Sequence, residues 1–483
     1  MSGSSLWALA DDPPARNVPE RRWRWTIGAV PVVLLIALLG IGVMIPAGLE
    51  SDARLALFGF GTAVVLWSLT QINAAYVALG VVVMLVLGGA LEQEQLFTAL
   101  ESDVIWLMIG AFILGTAVQD TGLAARLTGL VAKRARSVSG MMWLVTLVLL
   151  PTAFLIPSTS GRAAVALPVF RSLSDAAGSA KVTRALALLI PTVILVSTVA
   201  SLTGAGSHLI ANDLLGDLGG TKLSFVQWLL FGLPFALIAS AVTTWIIGRL
   251  FLDKDLRAKS LSIETTASTP FSRNEWITLI VILASVGLWS TEHLHGLQIA
   301  TVSVLAALIL TLPGIGVIAW KDGLKAVNWN LIVFVGAALV LGQALIGTGA
   351  AKWLIGLVFS ASGLTDGGSS SFILLALALI TLTSHLYMTS HTARAAALTP
   401  ALLYLAGTLK LNPAAVMFIG SVGMDYCLTF PVSSKALLMF QEADPNAWTP
   451  ADLLRLSAIL LPVHALLMTA VYFGWWQHVG LKL

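Results

Sequence analysis

The sequence predicts an all-α polytopic membrane protein of about eleven spans and two re-entrant hairpins, arranged as two inverted repeats. Three observations predict it: an extreme apolar composition, two long apolar runs each broken by a short polar tip, and a likeness between the two halves of the chain. Of the 483 residues, 57% are hydrophobic and only 11% charged, whereas a soluble domain carries about 25% charged residues. About 275 apolar residues, at about 20 per crossing, fill on the order of a dozen spans. A water-soluble fold is excluded. The single cysteine, Cys427, rules out a disulfide framework and a cysteine-based zinc site. Basic residues are spread over segment ends at a net charge of only +3, so there is no electrostatic footprint for nucleic acid.

The elements follow in order. Residues 1–25 are polar and close with Arg21, Arg22 and Arg24. They read as a cytoplasmic tail rather than a cleavable signal, so the run 26–48 stays as the first crossing. Runs 53–71, 73–91 and 102–119 give three more spans. From 121 to 136, Arg126, Lys133, Arg134 and Arg136 punctuate an otherwise apolar helix, the pattern of an amphipathic helix lying on the membrane surface. The next run, 138–175, is broken at Pro157-Ser158-Thr159-Ser160-Gly161. Non-helical backbone survives at membrane depth only where it lines protein or a wet cavity, so this reads as a hairpin. A span with its own interruption over 183–213 and a long span over 224–250 complete the first repeat, 26–251.

A polar linker, 252–275, carries Lys254, Arg257, Lys259 and Arg273. The second repeat, 276–483, has spans at 276–291, 297–314 and 329–346. A second hairpin, 371–408, is broken at Thr389-Ser390-His391-Thr392. Another interrupted helix, 413–440, and a last span, 452–476, follow. With the N-terminus in the cytoplasm, the basic groups around Arg126, Arg171 and the linker all fall on the cytoplasmic side, as the positive-inside rule asks. The C-terminus is then external, and the two hairpins arrive from opposite faces. Thr121-Gly-Leu-Ala-Ala-Arg-Leu-Thr-Gly-Leu-Val131 matches Thr348-Gly-Ala-Ala-Lys-Trp-Leu-Ile-Gly-Leu-Val358. Such an internal repeat is the mark of secondary transporters. Trp23, Trp25, Trp228, Trp448, Trp475 and Trp476 fall at span ends and are expected at the interfaces. Asp120 and Asp213 are expected to cap helix ends.

The two tips read Ser158-Thr-Ser-Gly-Arg162-Ala-Ala-Val-Ala-Leu-Pro168 and Ser390-His-Thr-Ala-Arg394-Ala-Ala-Ala-Leu-Thr-Pro400. Each exposes backbone N–H groups at a half-helix N-terminus, which favours an anion, while Ser158, Thr159, Ser160, Ser390, His391 and Thr392 offer hydrogen bonds to its oxygens. Arg162 and Arg394, one turn further on, either anchor the hairpin bases or supply a fixed charge whose fork suits carboxylate or sulfate. Recurrence in both repeats favours the second role. After each hairpin the following helix is interrupted, at Ser201-Leu-Thr-Gly204-Ala-Gly206-Ser207-His208 and at Leu428-Thr-Phe-Pro431-Val-Ser433-Ser434-Lys435. Glycines in one and proline in the other unwind a span and free carbonyls to face a tip.

These paired tips and interruptions resemble those of the divalent anion:sodium symporters, the family of bacterial and animal di- and tricarboxylate transporters, over nearly the whole membrane portion. The resemblance implies a homodimer in the bacterial inner membrane. A scaffold domain, including the first three helices, would hold the partner, while a transport domain of hairpins and interrupted helices slides as an elevator. It also implies that the tips hold substrate carboxylates, with Ser434 and Lys435 beside them. Sodium sites would lie between tips and interruptions, drawing on Ser158, Thr159, Gly206, Ser207, Ser390, His391 and Ser433. The chain departs from the family pattern: Thr159 and His391 stand where the tips normally carry asparagine, and His208 and Lys435 replace a Pro-Pro-Asn motif. Arg162, Arg394 and Lys435 can neutralise a dianion without sodium. The tip arginines also resemble the exchanger branch of the family, so exchange or proton coupling, the latter through Asp425 or His391, is favoured over sodium symport. Asp425 is also a candidate ion-pair partner of Lys435 or Arg394. No cofactor is called for beyond sodium as a possible co-ion. His385, His464, His293 and His295 lack the spacing of a transition-metal site. An enzyme finds no paired carboxylates or metal motif, and a channel no ring of one residue type. Sulfate or another inorganic anion is the alternative substrate.

Overall fold

The computed structural model describes residues 29–46, 48–123, 126, 134–156, 158–217, 220–261, 270–351, 353 and 370–483. Among them the protein is helical throughout, with one isolated bridge between Ser137 and Ser260 in place of any strand. In hydrocarbon the backbone must bond to itself, and a helix does so within one segment. The tail 1–25, most of the segment 121–136, Pro157 and the second copy of the repeated motif beyond Trp353 lie outside the described residues.

The first half contains α1 (Ala29–Met44), α2 (Ser51–Leu69), α3 (Ala74–Leu87), α4 (Asp103–Asp120), α5 (Val138–Leu149), α6 (Thr159–Ala177), α7 (Ala180–Val196), α8 (Gly206–Asp217) and α9 (Phe225–Phe251). The second contains α10 (Arg273–Ser290), α11 (Ile299–Thr311), α12 (Trp329–Gly347), α13 (Ser370–Thr383), α14 (His391–Thr408), α15 (Pro413–Asp425), α16 (Lys435–Gln441) and α17 (Pro450–Gly474). Seven helical stretches among the described residues are long and apolar enough to cross a membrane, and five shorter apolar helices accompany them.

Burial sorts these helices. In α1 only Val32 and Val43 are buried, while Val33, Leu34, Leu38 and Ile41 are exposed, so it lies on the outside. In α7 every residue from Val182 to Val196 except Arg184 is buried, as expected of a helix apolar all round. The same holds for α15 from Ala415 to Asp425. The hairpins wrap these two central helices, and the packing is reciprocal: α8 lies along α14, and α16 lies along α6. Each broken helix thus runs its second half against the other repeat's hairpin. At α4, Gly110 lets the helix close on α11, where an added Cβ would meet the Ser303 backbone at 2.6 Å. Small residues permit such approach between helices.

Two expectations change here. Trp228, Trp448 and Trp476 are buried in the core rather than placed at an interface, whereas Trp475 is exposed. Their indole N–H groups explain two of these positions, since Trp228 donates to the Val199 carbonyl at 3.0 Å and Trp476 to that of Phe231 at 2.9 Å. Asp213 is not a cap either. It is buried within α8, accepts from Ser102 Oγ at 3.1 Å and pairs with Lys222. The segment after α4 is tied to the start of the second repeat: Arg126 pairs with Glu275, donates to the Pro270 carbonyl at 2.7 Å and lies over the Phe271 ring at 4.5 Å. Hydrogen bonding to Arg126 holds the Glu275 carboxyl down at about 2.

Candidate functional site

Each hairpin turns where the sequence has its Ser-x-Ser/Thr tip. At the first, Ser158 caps α6: its Oγ accepts from the Gly161 N–H at 3.2 Å and lies 3.1 Å from Ser160 Oγ. At the second, Ser390 caps α14 in the same way, with Ala393 N–H at 3.3 Å and Thr392 Oγ1 at 3.1 Å. The leading serine is therefore spent on the helix end, as N-cap chemistry predicts. Thr159, Ser160, His391 and Thr392 sit half-buried around it.

The two arginines, equivalent in sequence, differ in surroundings. Arg162 is buried and all of its donors go to protein oxygens. Nε donates to Thr152 Oγ1 at 3.0 Å, Nη1 to the Ile194 carbonyl at 3.0 Å and Thr198 Oγ1 at 3.4 Å, and Nη2 to Ser197 Oγ at 2.7 Å and the Leu149 carbonyl at 3.4 Å. The expectation that it faces substrate is not met: it stitches the first hairpin to the end of α7. Arg394 has one long bond, from Nη1 to the Tyr426 carbonyl at 3.4 Å, and its buried Nε and Nη2 make no hydrogen bond. Where the first break opens with the hydroxyls of Ser197 and Thr198, the second opens with Tyr426 and Cys427, and the Cys427 side chain lies beside the Arg394 guanidinium.

Both interruptions form, slightly earlier than expected. The first covers 197–205, so Gly206, Ser207 and His208 already belong to the first turn of α8. The second covers 426–434, and Ser434 caps α16 by accepting from Ala436 N–H at 3.2 Å. Lys435, at the start of that helix, is exposed. It is not the partner of Asp425, whose Oδ2 instead lies 2.7 Å from His208 Nε2, across the two repeats. His391 Nε2 lies 3.0 Å from Cys427 Sγ, and its Nδ1 is 3.9 Å from Asp425 Oδ1. Gly206 faces the same tip, since a Cβ built on it would touch the Thr392 methyl at 3.5 Å. Ser207 Oγ and Ser433 Oγ are buried without a hydrogen bond.

The structure thus assembles His391, Thr392 and Arg394 of the second tip with Gly206 and His208 of the first turn of α8, Asp425 at the end of α15 and Cys427 of the second interruption. Sequence reasoning missed Cys427, and it missed Thr152, Ser197 and Thr198 as the partners of Arg162. The Ser197-Thr198 doublet that opens the break is the available signal.

A wholly helical, apolar fold with half-helices whose capped ends meet buried cations defines a membrane transporter of the broken-helix kind. Two solved transporters share the fold: the YdaH transporter of Alcanivorax borkumensis (TM-score 0.52, 16% identity, 79% of this chain and 86% of that one) and MtrF of Neisseria gonorrhoeae, described as one of a class of antimetabolite efflux pumps (0.51, 13%, 92% and 94%). The chain belongs to the divalent anion:sodium symporter family: the model of the sodium:sulfate symporter transmembrane region matches residues 25–482. A membrane protein of Cupriavidus necator is 30% identical over 68% of this chain and 64% of its own length. The citrate/succinate antiporter of Escherichia coli is 22% identical over 68% and 70%, and the chloroplastic dicarboxylate transporter 2 of Spinacia oleracea 26% over 94% and 83%.

Proposed function

We propose that the protein is a secondary active transporter of di- or tricarboxylates. It works as a homodimer of the bacterial inner membrane with a cytoplasmic N-terminus and an external C-terminus, and carries its anion by an elevator motion. The observation that carries the reading is the second tip, where the N-terminus of α14 and an arginine with two unbonded donors meet the first turn of α8 and the second interruption. Positive half-helix ends and an unsatisfied guanidinium together favour a carboxylate. The reciprocal packing of α8 on α14 and α16 on α6 is what two inverted repeats produce. Relatives named as a citrate/succinate antiporter and a dicarboxylate transporter support the substrate class.

Exchange or proton coupling is favoured over sodium symport. Sodium needs a cage of oxygens, whereas the groups gathered at the second tip are His208, His391 and Arg394, and the one carboxylate among them, Asp425, is engaged by His208. The test is uptake of labelled succinate, citrate and sulfate into proteoliposomes, with and without a sodium gradient and with and without internal counter-anion. Carboxylate uptake driven by counter-anion or a pH gradient without sodium is expected. An absolute sodium requirement overturns the coupling, and transport of sulfate alone overturns the substrate class.

A further inference from the structure

His208 is wholly buried and both of its ring nitrogens are engaged by protein oxygens. Its ring is tilted over Trp228 with 4.9 Å between centroids. Trp228 is held in turn by its bond to the Val199 carbonyl. Nδ1 lies 3.1 Å from the Ser201 carbonyl, and since a carbonyl only accepts, Nδ1 is the donor there. Nε2 lies 2.7 Å from Asp425 Oδ2, and with Nδ1 already a donor that contact is a hydrogen bond because the pair carries a second proton between Nε2 and Oδ2. Both edges of the ring are therefore fixed, one to the first interruption and one to the last residue of α15.

The other carboxylate oxygen is different. Asp425 Oδ1 is buried without a hydrogen bond, and so is His391 Nδ1, which stands 3.9 Å away. Buried polar atoms left unmet are costly in a low-dielectric interior. About 1 Å of approach brings these two within hydrogen-bond range. His391 is the central residue of the second tip, and Cys427 Sγ holds its other nitrogen at 3.0 Å. The carboxylate that faces the tip histidine is thus located by a histidine of the opposite repeat, 217 residues away in sequence.

We infer that His208 is a positioning residue for anion binding: through Asp425 it sets the His391 ring, so the first repeat fixes the geometry of the second repeat's tip. The inference rests on the reading of that tip as part of the anion site. Free to swing, Asp425 would no longer keep its Oδ1 3.9 Å from His391 Nδ1, and the tip would lose that register.

The test is a double-mutant cycle on counterflow uptake of labelled succinate by the purified, reconstituted protein. His208→Ala is expected to raise KM about tenfold, the loss of one hydrogen bond to a charged group, with Vmax changed much less. His391→Ala raises KM comparably, and the double variant is no worse than His391→Ala alone. His208→Gln, whose amide still reaches toward Asp425, recovers part of the affinity. Where His208→Ala does not fold, Asp425→Asn, nearly isosteric, takes its place in the same cycle with the same expectation. Multiplying effects in the double variant, or an unchanged KM in His208→Ala, overturn the inference while the anion-site reading stands. A wild-type protein that takes up neither succinate nor citrate overturns that reading, and the inference with it.

Discussion

Arg162 and Arg394 occupy the same place in the two tips, and the structure predicts opposite consequences of truncating them. Arg162 makes three bonds of 3.0 Å or shorter, to Thr152, Ile194 and Ser197, and two of 3.4 Å. At about 1 kcal/mol for each short bond, between the typical value inside membranes and that for a charged donor in water, its removal costs about 3 kcal/mol before any cavity is counted. Every hydrogen-bond partner is a neutral oxygen, so no hydrogen-bonded carboxylate is stranded. The carbonyls also keep other donors: Thr198 Oγ1 still reaches Ile194 at 2.7 Å. Arg394 has the 3.4 Å bond to Tyr426 and the Cys427 side chain beside it, so Arg394→Ala should lose about 1 kcal/mol of stability yet raise KM for the anion more than tenfold. Arg162→Ala should lower the melting temperature strongly, and the fraction that remains folded should keep a near-normal KM. Thermal melts of the detergent-purified variants, paired with uptake kinetics corrected for folded protein, separate the two. Equal melting temperatures, or a KM effect larger for Arg162 than for Arg394, would refute the reasoning.

Two further predictions concern the backbone and pH. A methyl group at Gly204 would press on the Thr198 carbonyl oxygen, whereas the nearest atoms to one at Gly206 would be the Met108, Thr392 and Leu331 side chains at an ordinary 3.5–3.6 Å. Gly204→Ala should therefore cost at least tenfold in transport while Gly206→Ala keeps most of it, and the reverse order in proteoliposome uptake would count against the geometry of the first interruption. The Glu275 carboxyl is held at about 2 against an ordinary value of 4.5, chiefly by its hydrogen bond to Arg126. A depressed carboxylate contributes fully above its unfolded value and loses that contribution as pH falls through its folded one. The melting-temperature gap between the wild type and Glu275→Gln should thus be constant above about pH 5 and close between pH 4.5 and about 2. A gap as wide at pH 3 as at pH 7 would contradict it.

Much of the architecture was legible because it is written in local chemistry. Apolar runs of span length can only be helices in hydrocarbon, and a serine before a small-residue turn caps the arm that follows. So the tips at Ser158 and Ser390, and breaks near Gly204 and Pro431, stood close to where they were expected. The errors were of a single kind. Position at span ends points Trp228 and Trp476 to interfaces, likeness to Arg394 points Arg162 to substrate, and the cations of its own repeat, Lys435 and Arg394, offer themselves as partners of Asp425. In each case the decisive partner is distant in the chain: Val199 for Trp228, Ser197 for Arg162, His208 for Asp425.

The sequence by itself determined that this chain lives in a membrane, where its helices start and stop, and which short polar segments interrupt them, because composition and N-cap chemistry act over a few residues. Only the tertiary structure decided which of two identical-looking arginines is already satisfied and which histidine meets the buried carboxylate. A polar group taken out of water must find its partner among whatever the packing brings near, and that neighbourhood is set by helices folded together from opposite ends of the chain.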